Sequence, residues 1–88
     1  MAEINIIRIN EASFKVSVVA SSSTTHIVTV QPDYALKLTR GTITTEQMLR
    51  KSFEFLLLRE SNTSILRAFD LSVIARYFPE YEREISRD

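Results

Sequence analysis

Cysteine is absent from these 88 residues, glycine and histidine occur once each, and proline occurs twice. Each gap excludes a class of chemistry. Without cysteine there is no disulfide framework, no thiol nucleophile and no zinc ribbon or finger. Phosphate-cradling loops need two or three glycines, and Gly41 stands alone. One imidazole, His26, does not make the cluster that holds a metal. Long apolar runs are missing as well. The longest is Phe55–Leu58, against roughly 20 residues for a membrane span. Residues 1–10 carry Glu3 and Arg8 among isoleucines, without the basic start and apolar stretch of a targeting segment. The expectation is a cytoplasmic protein with no membrane association, which the lack of cysteine suits.

What is present is balanced. Eleven basic and eleven acidic residues cancel, and 44% of the chain is hydrophobic. That composition belongs to a folded globular chain, and the length to a single domain over residues 1–88. Nucleic-acid-binding domains usually show a basic excess or a basic face, so zero net charge disfavours that class. The same neutrality weakens self-repulsion and eases association with a partner or a second copy.

The chain divides into a strand-rich and a helix-rich half. Residues 3–31 are rich in Ile, Val, Thr and Phe, which predicts strands at Glu3–Ile9, Ser13–Ala20 and His26–Val30. A two-residue turn at Asn10-Glu11 sets Ile7 opposite Phe14 and puts Ile7, Ile9, Phe14, Val16 and Val18 on one face. Arg8, Ser13, Lys15 and Ser17 share the other, with Ile4 and Ile6 among them. A five-residue loop, Ser21–Thr25, sets Val18 opposite Val28 and leaves His26 on the core face at its rim. Beyond Pro32 the punctuation is helical. Pro32, Asp33 and Gly41 bracket a helix at about 32–39. Thr44 with Gln47 is a capping box opening a helix at about 45–60, which Asn62-Thr63-Ser64 ends in a turn. A short piece at Ile65–Phe69 follows, then a helix at 71–78 capped by Asp70, then a last helix after Pro79. Three strands followed by helices predict an α+β fold: a three-stranded antiparallel meander with helices packed on one face.

The helix around Phe53 is apolar over more than a surface helix needs. Met48, Ser52, Leu56, Leu49, Phe53 and Leu57 span about 180°, against a stripe of about 100° or somewhat more. Phe55 and Leu58 lie beyond that arc. Either the sheet and the later helices cover the two sides, or Phe55 and Leu58 meet a second subunit or partner.

Each chemical candidate has a structural reading beside it. His26 has a pKa suited to acid–base work, but no orienting partner is evident, and the Ser/Thr run before it reads as a turn. No catalytic residue is assigned. Glu80 and Glu84 share a helical face that could hold a divalent cation, but Arg83 and Arg87 interleave them, as on a solvated charged surface. Neither a metal site nor a cofactor site is assigned. Arginine outnumbers lysine eight to three. Arg59, Arg67, Arg76 and Arg83 accompany the aromatics Phe69, Tyr77, Phe78 and Tyr81, and arginine and tyrosine favour interfaces.

The stretch Ser52–Glu82 carries Ser52-Phe53-Glu54-Phe55-Leu56-Leu57, Ser64-Ile65-Leu66-Arg67, Phe69-Asp70-Leu71 and Arg76-Tyr77-Phe78-Pro79-Glu80-Tyr81-Glu82. It resembles the C-terminal half of short uncharacterised bacterial proteins. The resemblance implies a bacterial cytoplasmic source and one compact domain, and no activity. The reading of the residues themselves is a non-enzymatic interaction module. It would bind a protein partner, or itself as a homodimer, through Phe55, Leu58, Arg67, Arg76, Tyr77 and Tyr81. The alternatives are a nucleic-acid-associated regulator and a small ligand-binding protein or hydrolase.

Overall fold

The computed structural model describes residues 2–86. Along the chain come β1 (Glu3–Arg8), β2 (Ser13–Val19), β3 (Ser23–Thr29), α1 (Pro32–Thr39) and α2 (Thr45–Leu57). A 3-10 turn at Asn62–Ser64 leads to β4 (Ala68–Asp70), α3 (Val73–Tyr77) and α4 (Tyr81–Ser86). The fold is α+β: β1, β2 and β3 form an antiparallel meander, and helices pack against it. The sheet has a fourth strand that the sequence did not reveal. β4 lies parallel to β3, and the order across the sheet is β1-β2-β3-β4. It falls within and just after the piece expected at Ile65–Phe69. Three residues are too few for alternation to show, and neighbouring β3 supplies the hydrogen bonds that make them a strand.

The first hairpin is one residue out of the expected register. Ile4 faces Val18, Ile6 faces Val16 and Arg8 faces Phe14. The Asn10 side chain accepts from Ala12 N–H at 2.9 Å, and Ile9 N–H donates to Ser13 C=O at 2.9 Å. This Asx turn takes Ala12 into the connection as well. A one-residue slip exchanges the faces. Ile4 is buried, while Ile7 and Ile9 are 58% and 53% exposed. Arg8 leaves the outward set, lies 4.7 Å from the Phe14 ring centroid and approaches Glu46 at 3.8 Å.

The second connection is shorter than expected, because β3 begins at Ser23, opposite Val19. Thr24 and Thr25 are β-branched and sit within the strand rather than the loop. The inward set keeps its parity, so Val28 and Val30 remain in the core. His26 now faces Val16 in mid-sheet and is fully buried.

The signals at the starts of α1 and α2 hold, although α2 ends at Leu57 rather than near residue 60. The cap expected from Asp70 does not: α3 spans Val73–Tyr77 behind Ser72, and the Asp70 carboxylate accepts from Ser72 N–H and Oγ–H in the turn that leaves β4. Pro32 starts α1, which ends with Arg40 at φ 54° and Gly41 at φ 71°. Glycine meets that left-handed requirement without strain. Thr44 Oγ1 accepts from Gln47 N–H at 3.0 Å, and Gln47 Oε1 accepts from Thr44 N–H at 2.9 Å. The last helix extends to Ser86, so Arg87 lies outside the described residues. The broad apolar surface of α2 is covered within the chain, as α2 contacts β1, α1 and α4. Met48, Leu49, Phe53, Phe55 and Leu56 are all buried.

Candidate functional site

The six residues read as a surface separate into two groups. Phe55 and Tyr81 are core residues and form no part of a surface. Phe55 meets Phe78 edge-on at 5.8 Å between centroids and Tyr81 at 5.3 Å. Arg59 closes this cluster from outside. Its guanidinium stands 3.6 Å from the Phe55 ring centroid, donates to Phe55 C=O at 3.0 Å and approaches Glu80 at 3.6 Å. Phe55 is thus capped by an arginine four residues on, just past the end of its own helix. Tyr81 is fully buried, and its hydroxyl meets Ser52 Oγ at 2.6 Å. Burial pushes the Tyr81 phenol well above its ordinary pKa, a shift that the Ser52 hydrogen bond partly opposes.

Leu58, Arg67, Arg76 and Tyr77 do lie at the surface. Leu58, at the C-terminal end of α2, is 84% exposed. Arg67 and Arg76 stand next in sequence to Leu66 and Tyr77, two walls of a cleft of about 290 Å³ between the end of α2, β4 and α3. Its other walls include Leu56, Ile65, Phe69 and Ile74. Glu60 and Ser64 are its polar members. Leu66 is 50% exposed and Tyr77 69%, so the rim is apolar and open. The guanidinium groups of Arg67 and Arg76 make no ion pair or hydrogen bond among the described residues. Leu66 and Phe69 were not among the six residues read as a surface from the sequence. They became neighbours of Tyr77 only through β4, whose existence the sequence did not signal.

His26 stands apart from this cleft. Its Nδ1 lies 2.7 Å from Leu66 C=O, and its Nε2 lies 2.8 Å from Thr24 Oγ1. A carbonyl can only accept, so Nδ1 carries hydrogen. Asn62 Nδ2 donates to Thr24 Oγ1 at 3.0 Å and to Ser22 C=O at 2.9 Å. In the neutral ring with hydrogen on Nδ1, Nε2 is the acceptor and the Thr24 hydroxyl donates to it. Hydroxyl, imidazole and oriented carbonyl follow the order of a nucleophile, base and orienter. Here both side chains are buried, and neither lines the cleft. The network joins β3 to the 3-10 turn and to the approach to β4.

A second hollow, of about 310 Å³, lies between Arg8, Glu11, Pro32 and Leu36. Its cation is engaged already, since Arg8 donates to the carbonyls of Asn10 and Glu11 and approaches Glu46. The C-terminal carboxylates bind cations of the chain: Glu80 meets Arg59 and Glu82 meets Lys37 at 3.1 Å. No cluster of His, Asp or Glu able to hold a metal ion occurs among the described residues. No helix among them is long and apolar enough to cross a membrane.

Glu82 also accepts from the Tyr34 hydroxyl at 2.7 Å, which ties α4 to α1. That bond, then Lys37, holds the Glu82 carboxyl below its usual pKa range. Burial, then the Glu82 carboxylate, pushes the Tyr34 phenol well above its usual value. A lowered folded pKa stabilises above the unfolded value of about 4.3 and is lost as pH falls through the folded one. A raised folded pKa stabilises below about pH 10 and is lost as pH climbs through it. Melting temperature should therefore fall on both limbs. Glu82→Gln should flatten the acid limb in a thermal denaturation series across pH. An unchanged acid limb in that variant would show that the α1–α4 tie contributes nothing.

Comparison of the chain with protein-family models, curated proteins and solved structures finds no match.

Proposed function

We propose that this domain is a non-enzymatic interaction module, which binds a partner protein or a second copy of itself through the cleft between the end of α2, β4 and α3. One observation carries the reading: the cleft is open and rimmed by the exposed apolar side chains of Leu66 and Tyr77. Exposed apolar surface that a fold does not use internally marks an interaction site. The surplus apolar face of α2 no longer bears on this, because Phe55 is satisfied by Arg59, Phe78 and Tyr81. The cleft is just under the usual size of a small-molecule pocket, about 300–1,000 Å³, and its lining is mostly apolar. Such a space suits one or two side chains of a protein ligand.

The test is selection from a random peptide display library on the whole chain, with Tyr77→Ala and Leu66→Ser as counter-targets. Selected peptides should bind each variant about tenfold or more weakly, as truncation of an interface anchor does. Neither variant should change stability by more than about 0.5 kcal/mol, since both side chains project from the surface. Sedimentation over a range of concentrations shows whether the occupant is a second copy. A chain that stays monomeric and selects no peptide sensitive to Tyr77→Ala would rule the module out.

A further inference from the structure

We infer that the occupant of the cleft is an extended peptide that joins the sheet as a strand on the open edge of β4 and seats an apolar side chain against Leu66, Phe69 and Tyr77. The inference rests on the interaction-module reading and specifies its ligand.

The geometry of β4 supplies the argument. Ile27 N–H donates to Arg67 C=O at 2.8 Å, and Leu71 N–H donates to Thr29 C=O at 2.9 Å. With Ile27 beside Ala68 and Thr29 beside Asp70, the residues bonding to β3 are Arg67, Phe69 and Leu71. Alternate residues of a strand turn their backbone groups to opposite sides. The N–H and C=O of Ala68 and Asp70 therefore face away from β3. β4 is the end strand of the sheet, and no hydrogen bond among the described residues uses those groups. An unpaired edge is a template for one more strand. Of the devices that blunt such edges, Ala68-Phe69-Asp70 lacks proline, lysine and a bulge but is short and carries Asp70, so an added strand pairs with it only at Ala68 and Asp70.

The cleft lies beside that edge. Phe69 aligns with the buried Val28, which marks the inner face of the sheet, and Phe69 is also a wall of the cleft. A strand added to β4 alternates its side chains in the same way, so every second one faces the cleft. Backbone pairing would supply affinity, and the cleft would choose the side chain. Charge adds a second preference. Arg67 immediately precedes β4, Arg76 lies on α3 next in sequence to Tyr77, and both guanidinium groups are unpaired among the described residues. A carboxylate close to the apolar anchor complements them. Glu60 in the lining opposes a run of acids.

Peptides enriched by the display selection are the probe. Hydrogen exchange is followed at the Ala68 and Asp70 amides, with and without peptide, and the peptide is N-methylated one amide at a time. Strand addition predicts that both amides exchange at least about tenfold more slowly in the complex. It also predicts that N-methylation weakens binding about tenfold at alternate positions and little at those between, the cost of one lost hydrogen bond. Arg67→Gln should weaken carboxylate-bearing peptides several-fold and leave their amide analogues unchanged. Peptides that depend on Tyr77 but leave both amides exchanging as in the free protein would overturn strand addition and spare the module. A library yielding no binder that depends on Tyr77 would overturn both.

Discussion

His26→Ala is expected to lower the unfolding free energy by about 3–5 kcal/mol, a large part of the roughly 5–15 kcal/mol that holds a domain together. The imidazole is fully buried, stacks obliquely on Phe53 at 5.5 Å and bridges Thr24 to Leu66 C=O. Removing it leaves the Leu66 carbonyl without a partner and the Thr24 hydroxyl, which keeps Asn62, without its second one, at about 1–3 kcal/mol for a group that water does not reach. The space vacated beside Phe53 adds a cavity cost. Urea denaturation followed by circular dichroism measures the sum. Thr24→Val should cost less, because it leaves the bond to Leu66 intact and keeps the shape. A loss below about 1 kcal/mol for His26→Ala would mean that the network is not structural. Ring-nitrogen chemical shifts give an independent check, with the hydrogen expected on Nδ1.

Tyr81→Ala should cost about 3–5 kcal/mol, as large-to-small changes in a core do. Tyr77→Ala, four residues earlier and at the end of the preceding helix, should cost no more than about 0.5 kcal/mol. The contrast follows from position. Tyr77 stands 69% exposed on α3, whereas Tyr81 is buried against Phe55 and Ser52. Ser52 Oγ donates to Met48 C=O at 2.8 Å, so the Tyr81 hydroxyl is the donor to Ser52. Tyr81→Phe removes only that bond and should cost about 1 kcal/mol. Equal losses for Tyr77→Ala and Tyr81→Ala would contradict this division of the two tyrosines.

Periodicity and punctuation were legible in the sequence, and register was not. Pro32, Thr44 and Gln47 mark helix starts that the structure keeps, because caps depend on a few adjacent residues. Hairpin register depends on how many residues the turn consumes, and neither turn carries a strong local signature. The first slipped by one residue, which turned Ile4 and Ile6 inward and Ile7 outward. In the second the error was even-numbered. The parity of His26, Val28 and Val30 survived, while His26 moved from the rim to mid-sheet.

The candidate site was legible only in part for a related reason. Arg67, Arg76, Leu58 and Tyr77 were recognisable as surface residues from their type and spacing. Phe55 stood outside the main apolar arc of α2, yet Arg59 and the returning aromatics Phe78 and Tyr81 cover it. That cover depends on the path of the chain after Pro79, which helical spacing does not encode. The cleft depends on β4, a strand defined by its neighbour rather than by its own three residues.

The position of β4 also bears on the order in which the molecule assembles. The hairpins of the meander close between nearby residues and can form within microseconds. The hydrogen bond from His26 to Leu66 spans 40 residues, as does that from Asn62 to Ser22. Closing so long a loop costs chain entropy before any contact repays it. On a chain emerging from the ribosome, β3 is made well before Leu66. Until that segment arrives, a histidine in mid-sheet lacks the carbonyl that completes its bonding. Docking of β4 is thus expected late in folding, and because it also builds the cleft wall, a partially folded chain does not yet have the cleft.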